Sequence, residues 1–395
     1  EPVIFSTSWM RCLLTMLGEK LRLFTSPPGS QGYNNTSLLF HNKRAIALCE
    51  ADLPLELRIT LDGHLQSEGH YLFEREGISM NAHPKVDPLT GELFWMNYSL
   101  TGAPKFYFGT VSPDGQVRSK SWGSLSGGKS VMIHDCGITE KYALVLDCSV
   151  LTDIRFLDTD GCIWRFAPEH GARVGIFLRR VASGCIPREL IKWFTIETCQ
   201  IFHIANCWEE DEHTLVMVAV WWDKVNMAGW SNVSLLDNYP QMRRWTFHLD
   251  TGDVAEEPLC KERNPAKVEF PVIHPRHSGR KCRWVWAVGS QTGEPNFHRV
   301  YKFDLERGCV TASVAFERGG RQFCGGECCF VPRSGGTAED DGYLVTFVVD
   351  PNGIDTSSLW VLDARSMQSQ PLSVTTLPAR VPIGFHGMWV NEESL

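Results

Sequence analysis

The chain has 395 residues, 43% of them hydrophobic and 21% charged, and a formal net charge of −8. This balance excludes global disorder, which goes with too few apolar residues to build a core, and argues against a nucleic-acid-binding surface, which needs clustered Lys and Arg. No apolar stretch reaches the ~20 residues needed to span a bilayer.

In chain order, residues 6–23 predict a helix. Trp9, Leu13, Met16, Leu17 and Leu21 fall near helical spacing, with Arg11, Glu19 and Lys20 between them. The SPPGSQG stretch at residues 26–32 then breaks the pattern. Residues 1–32 therefore read as an amphipathic helical segment that packs on the body or makes a peripheral contact with a membrane surface. From residue 33 to 395, short apolar runs alternate with turn residues: SLLF then HNKR, LRIT then LDGH, FYFGTVS then PDGQ, HTLVMVAVWW, RWTFHLD then TGDV, YLVTFVVD then PNG. Asp-Gly and Asn-Gly between such runs are hairpin signals. Long helical patterns between strands are missing, which counts against a parallel α/β sheet. The expectation is one all-β domain of many short antiparallel strands: a propeller, a barrel or a sandwich.

The fourteen Cys read as reduced core thiols, because a chain this long buries its own core and most sit singly among apolar residues, as Cys148 does. The CGGECC cluster at residues 324–329 lacks the paired spacing of a zinc site. Of the thirteen His, His41, His64, His70, His213, His277 and His298 lie beside turn residues and charges and read as surface residues. The acidic run Glu209–Glu212 reads as a solvated turn before a strand. Four other His differ: His83 in MNAHPKVDPLTGELFW, His134 in SVMIHDCGITEKYALVLD, His203 in CQIFHIANCWEEDE and His386 in VPIGFHGMWV. Each follows a small or apolar residue and has a small residue or turn former within two positions: Pro84, Asp135, Ala205 and Gly387. That context suits a metal-binding imidazole. It also suits a core histidine, and spacing alone does not choose.

The segments AHPKVDPLTGELF, MIHDCGITEKYALVLD, FHIANCWEE, VEFPVIHPRHSGRKCRWVWA, GGECCFVPRSGGTAEDDGYLVTFVVD and GFHGMWV carry more. In order and residues, from about Thr36 to Val390, they resemble the carotenoid cleavage oxygenase family, in its plant-like branch with the nine-cis-epoxycarotenoid dioxygenases. The resemblance implies a seven-bladed β-propeller with a dome of loops and helices over an axial Fe(II). It implies His83, His134, His203 and His386 as iron ligands, with Glu50, Glu269 and Glu327 accepting hydrogen bonds from ligand imidazoles; which Glu serves which His stays open. No side chain beyond the metal centre is implied as catalytic. The reaction implied is cleavage by O₂ of a conjugated C=C bond of a carotenoid or apocarotenoid, giving two carbonyl products. Phe94, Trp95, Phe385 and Trp389, near the ligand motifs, are candidates to line an apolar substrate tunnel.

Branch features narrow this. There is no PDPCK motif, and AHPK, with Lys85, replaces AHPH, which sets the chain apart from the metazoan retinoid branch. Cys49 stands before Glu50 where stilbene-cleaving members carry Lys, so a phenolic stilbene is the alternative substrate rather than the first. The branch suggests a plastid, with the cytoplasm as alternative. Family members carry a further N-terminal segment with a YHWFDGDGM-like motif that has no counterpart before Glu50. A propeller incomplete at its N-terminus is therefore expected, and a catalytically silent carotenoid-binding propeller is the competing reading.

Overall fold

The computed structural model describes residues 34–50, 52–73, 77–100, 103–227, 240–260, 266–290, 297–351, 353, 357–382 and 384–392. The helix predicted over residues 6–23, and with it the 1–32 boundary and the membrane contact, lies outside them.

Turn chemistry sets the strand pairs. Asn42 and Lys43 both have positive φ, at 51° and 57°, the requirement of a type I′ turn whose twist matches its flanking strands. They join Ser37–His41 to Arg44–Leu48 in register. Gly63 and Gly115, after Asp62 and Asp114, take φ of 84° and 86° at two further hairpins. Such pairs build up into antiparallel sheets whose strands follow chain order.

Two units can be told apart: one runs to Gln200 and takes in residues 224–227, and the other starts at Ile201. The first holds three sheets. One is Ser37–His41, Arg44–Leu48, Leu55–Ile59 and Leu65–His70; the next is Lys85–Val86, Leu93–Tyr98, Lys105–Val111 and Val117–Ser124, with Gly184–Cys185 added in parallel at its edge; the third is Gly137–Ile138, Tyr142–Asp147, Ala172–Leu178 and Lys192–Ile196. The second unit also holds three. They are Gln200–Glu209 to Val254–Pro258, then Lys267–Val272 to Cys309–Ala315, then a sheet in which Cys324–Gly325 and Cys329–Pro332 both pair with Gly342–Val349, followed by Ser357–Asp363 and Ser373–Thr376. Strands such as Leu93–Tyr98 and Thr214–Trp222 are buried along their whole length, so both sheet faces are covered and alternation is lost.

Sheets of this order are the blades of a β-propeller, and the all-β expectation holds. The described residues make six blades where seven were expected. The remaining pairings, Val150–Thr152 with Trp164–Phe166 and Glu317–Arg318 with Arg321–Gln322, are two-stranded ribbons, too narrow to cover a neighbouring sheet. Among the described residues, helix is confined to Leu157–Asp160 and four 3₁₀ turns.

Aromatic rings pack over strand glycines. Trp95 faces Gly109 across its strand pair, Trp193 faces Gly175 and Phe106 faces Gly123, and a Cβ on any of these glycines would lie within 3 Å of the ring.

Candidate metal centre

Most of the residues implied as ligands or their partners lie on or beside edge strands. His83 and His134 immediately precede the edge strands Lys85–Val86 and Gly137–Ile138. His203 and Glu269 lie within the edge strands Gln200–Glu209 and Lys267–Val272. Glu327 sits between the two edge strands of the last sheet, and Glu50 follows Arg44–Leu48.

In the first unit a parallel bridge pairs His83 with Asp135. It brings the His83 and His134 rings to 4.7 Å, edge to face, with their Nε2 atoms 3.1 Å apart. The Nδ1 of His134 lies 2.5 Å from Glu50 Oε1. A carboxylate accepts only, so Nδ1 carries the hydrogen and Nε2 keeps a lone pair.

The second unit repeats the device twice. His203 donates through Nδ1 to Glu269 Oε2. Glu269 is buried, and its Oε1 accepts the Trp222 indole N–H at 2.6 Å while Oε2 accepts the Phe270 N–H at 2.7 Å. Burial alone would raise the Glu269 carboxyl; the charge His203 can carry, with the hydrogen bonds from His203, Phe270 and Trp222, holds it below the ordinary carboxylate value. His386 Nδ1 lies 2.9 Å from Glu327 Oε1, and Gly387 N–H donates to Oε2 at 2.9 Å. The His203 and His386 rings meet edge to face at 4.9 Å.

Glu50, Glu269 and Glu327 thus serve His134, His203 and His386 in turn, the pairing that sequence left open. Three imidazoles are tethered at Nδ1 and present Nε2, the arrangement in which an outer carboxylate fixes tautomer and ring direction for a metal. Two nitrogens bound at ~2.1 Å to one ion at about a right angle would stand about 3 Å apart, as the Nε2 atoms of His83 and His134 do. The donor set fits a transition metal.

Phe270 and Trp222 were missed by sequence reasoning. Phe270 sits at a bulge between Glu269 and Val272 with φ of 52°, a true outlier for an aromatic residue. Its ring centroid is 5.1 Å from that of His203 and 5.2 Å from that of His386. Of the tunnel candidates, Phe94 is buried and stacks on Phe108, and Trp95 belongs to the core around Ile46, Met80 and Val111. Phe385 and Trp389 are exposed, at 41% and 50%, on the segment of His386. Two histidines read as surface residues are buried instead. His41 lies 3.2 Å from Gly91 O and His298 2.8 Å from Phe323 O; each is a strand-end ring whose polar atom meets a neighbouring carbonyl.

Comparison with known proteins shows the family of the chain. The chain is 33% identical over 403 residues to a carotenoid 9,10(9',10')-cleavage dioxygenase 1 of Pisum sativum, covering 97% of this chain and 71% of that one. It is 34% identical over 393 residues to a chromoplastic zeaxanthin 7,8(7',8')-cleavage dioxygenase of Crocus sativus, covering 93% and 98%. A solved apocarotenoid oxygenase of Synechocystis, 23% identical, superposes with a TM-score of 0.77 over 90% of this chain and 74% of its own, and shares the fold. With the family model described as retinal pigment epithelial membrane protein (RPE65) matching residues 18–391, the chain belongs to that family, the family of the carotenoid cleavage dioxygenases.

Proposed function

We propose that His83, His134, His203 and His386 together hold one Fe(II), and that the chain cleaves a conjugated C=C bond of a carotenoid or apocarotenoid with O₂ to give two carbonyl products. The observation that carries the reading is the repeated tether: His134, His203 and His386 each donate Nδ1–H to a Glu and turn Nε2 outward. The ion, when bound, supplies activation of O₂. The chain's residues do the rest. Four neutral imidazoles add no negative charge to the centre, while Glu50, Glu269 and Glu327 offset its charge from one bond further out. No side chain has to move a proton. Phe385 and Trp389 remain the candidates for the apolar approach to the site, since Phe94 and Trp95 are committed to blade packing. The names of the pea and saffron relatives, both carotenoid-cleaving, support the substrate class, and the word chromoplastic in the second supports a plastid over the cytoplasm.

The test is direct. The purified chain, loaded anaerobically with ferrous ion, is mixed with a panel of carotenoids, apocarotenoids and stilbenes. Oxygen uptake is followed by electrode and products by mass spectrometry. Bleaching with one O₂ consumed per bond cleaved is expected. Bound pigment that survives iron and oxygen would instead identify a silent carrier. His203→Ala should lose both iron and cleavage; full iron retention would refute its assignment as a ligand.

A further inference from the structure

We propose that the ion pair between Lys85 and Asp135 is a positioning device for the metal centre, locking the segment of His83 onto the segment of His134. The inference rests on the metal reading above. Lys85 Nζ lies 2.7 Å from Asp135 Oδ1, and the two side chains are 22% and 2% exposed. Lys85 follows His83 by two residues and Asp135 follows His134 by one, so the pair sits beside both imidazoles.

The backbone around it needs such a lock. The bridge between His83 and Asp135 is an isolated one, outside any strand ladder, and one bridge specifies register weakly compared with a ladder. Longer contacts also cross between the two segments: Cys136 Sγ to His83 O at 3.7 Å and Asn81 Nδ2 to Ile133 O at 3.5 Å. The ion pair joins the two segments by opposite charges over 2.7 Å. Its carboxylate is itself held, since Asp135 Oδ1 accepts the Cys136 N–H at 2.6 Å. Further along, Asp87 pairs with the buried Arg179, which fixes the far end of the strand that starts at Lys85. The His83 segment is therefore pinned at both ends. A buried carboxylate that loses its cation is strongly unfavourable, so a slip of one segment along the other is opposed. What the lock sets is the 3.1 Å separation of the two Nε2 atoms.

Lys85 and Asp135 are not metal ligands in this scheme, so their loss should change the metal site without removing a ligand. The full chain and its Lys85→Met, Lys85→Arg and Asp135→Asn variants are stripped and titrated with cobalt(II), read by visible absorption, and with iron(II), read by competition with a chelator. Lys85→Met and Asp135→Asn should bind iron about tenfold more weakly, the low end of the ~10–100-fold range for lost outer partners. Their cobalt(II) band should change shape, and Lys85→Arg should restore both. Lys85→Met leaves the buried Asp135 carboxylate without its cation, so its metal-free unfolding midpoint should fall; the cobalt(II) band shape, read on folded protein, is what separates positioning of the imidazoles from stability. Wild-type affinity and an unaltered cobalt(II) spectrum in Lys85→Met would overturn the proposal while leaving the metal reading intact. So would an affinity loss matched by a lower metal-free midpoint with the spectrum unmoved. A wild-type chain that takes up neither ion would overturn the metal reading and this inference with it.

Discussion

At Phe270 the backbone is bent into a region that aromatic residues avoid, for three contacts at once. Its N–H reaches Glu269, and its ring meets His203 and His386. A left-handed φ costs an L-residue about 1–2 kcal/mol, and such strain persists only where the surroundings enforce it. The consequence is an inverted substitution order. In an ordinary strand Gly is less stable than Ala by roughly 0.5–1 kcal/mol. Here both variants lose the ring, but only Phe270→Ala keeps the strain. Phe270→Gly should therefore unfold at higher denaturant than Phe270→Ala, by about 1 kcal/mol, in urea titrations followed by circular dichroism; the usual order would show that the position relaxes. Sequence pointed to the four His and three Glu through their motifs. It could not pair them, because which Glu meets which His depends on how segments far apart in the chain are brought together. Phe270 was silent for a related reason: its value lies in a φ angle that a bulge imposes.

Between strands, the hairpin ends carry charges with defined work. Asp304, fully buried, closes the Arg299–Asp304 strand: Oδ1 accepts the N–H groups of Glu306 and Arg307, and both oxygens meet Arg283. Burial pushes its carboxyl up, but the Arg283 guanidinium and the two N–H donors outweigh that and hold it below the ordinary value. A lowered folded pKa means stability that is present at neutral pH and lost as pH falls through it. Asp304→Asn should cost about 1–3 kcal/mol at pH 7, measured by denaturant unfolding. The gap to wild type should close as pH drops below about 4; a gap constant with pH would show that shape rather than charge matters. The hairpins themselves were legible because Asn, Asp and Gly announce positive φ. The ribbon of Val150–Thr152 with Trp164–Phe166 was not, since its strands are too short for a period to show. Rings over glycines explain why Trp95, named as a tunnel candidate, is found packing on Gly109: a bare strand position calls for a large neighbour.

Over the whole molecule, the resemblance led to a propeller, and the described residues supply six of the seven blades expected. The count was hard to read because both-face burial, as in Thr214–Trp222, erases the alternation that marks strand boundaries. A metal that binds only the folded state adds RT ln(1 + [L]/Kd) to stability. Ferrous ion at a hundredfold over its Kd should therefore stabilise the chain by about 2.7 kcal/mol, seen as a higher unfolding midpoint with iron than with a chelator. An unchanged midpoint would argue against a site formed by folding. The hydrogen bond from Trp222 to Glu269 gives this titration a built-in optical channel. That indole is one carboxylate away from His203, so its excited state feels the charge and the unpaired electrons of an ion held there. Of the chain's fourteen Trp, Trp222 donates directly to the carboxylate that tethers a proposed ligand. The difference in emission between wild type and Trp222→Phe isolates its light, and the protein's own glow becomes a gauge of how full the centre is.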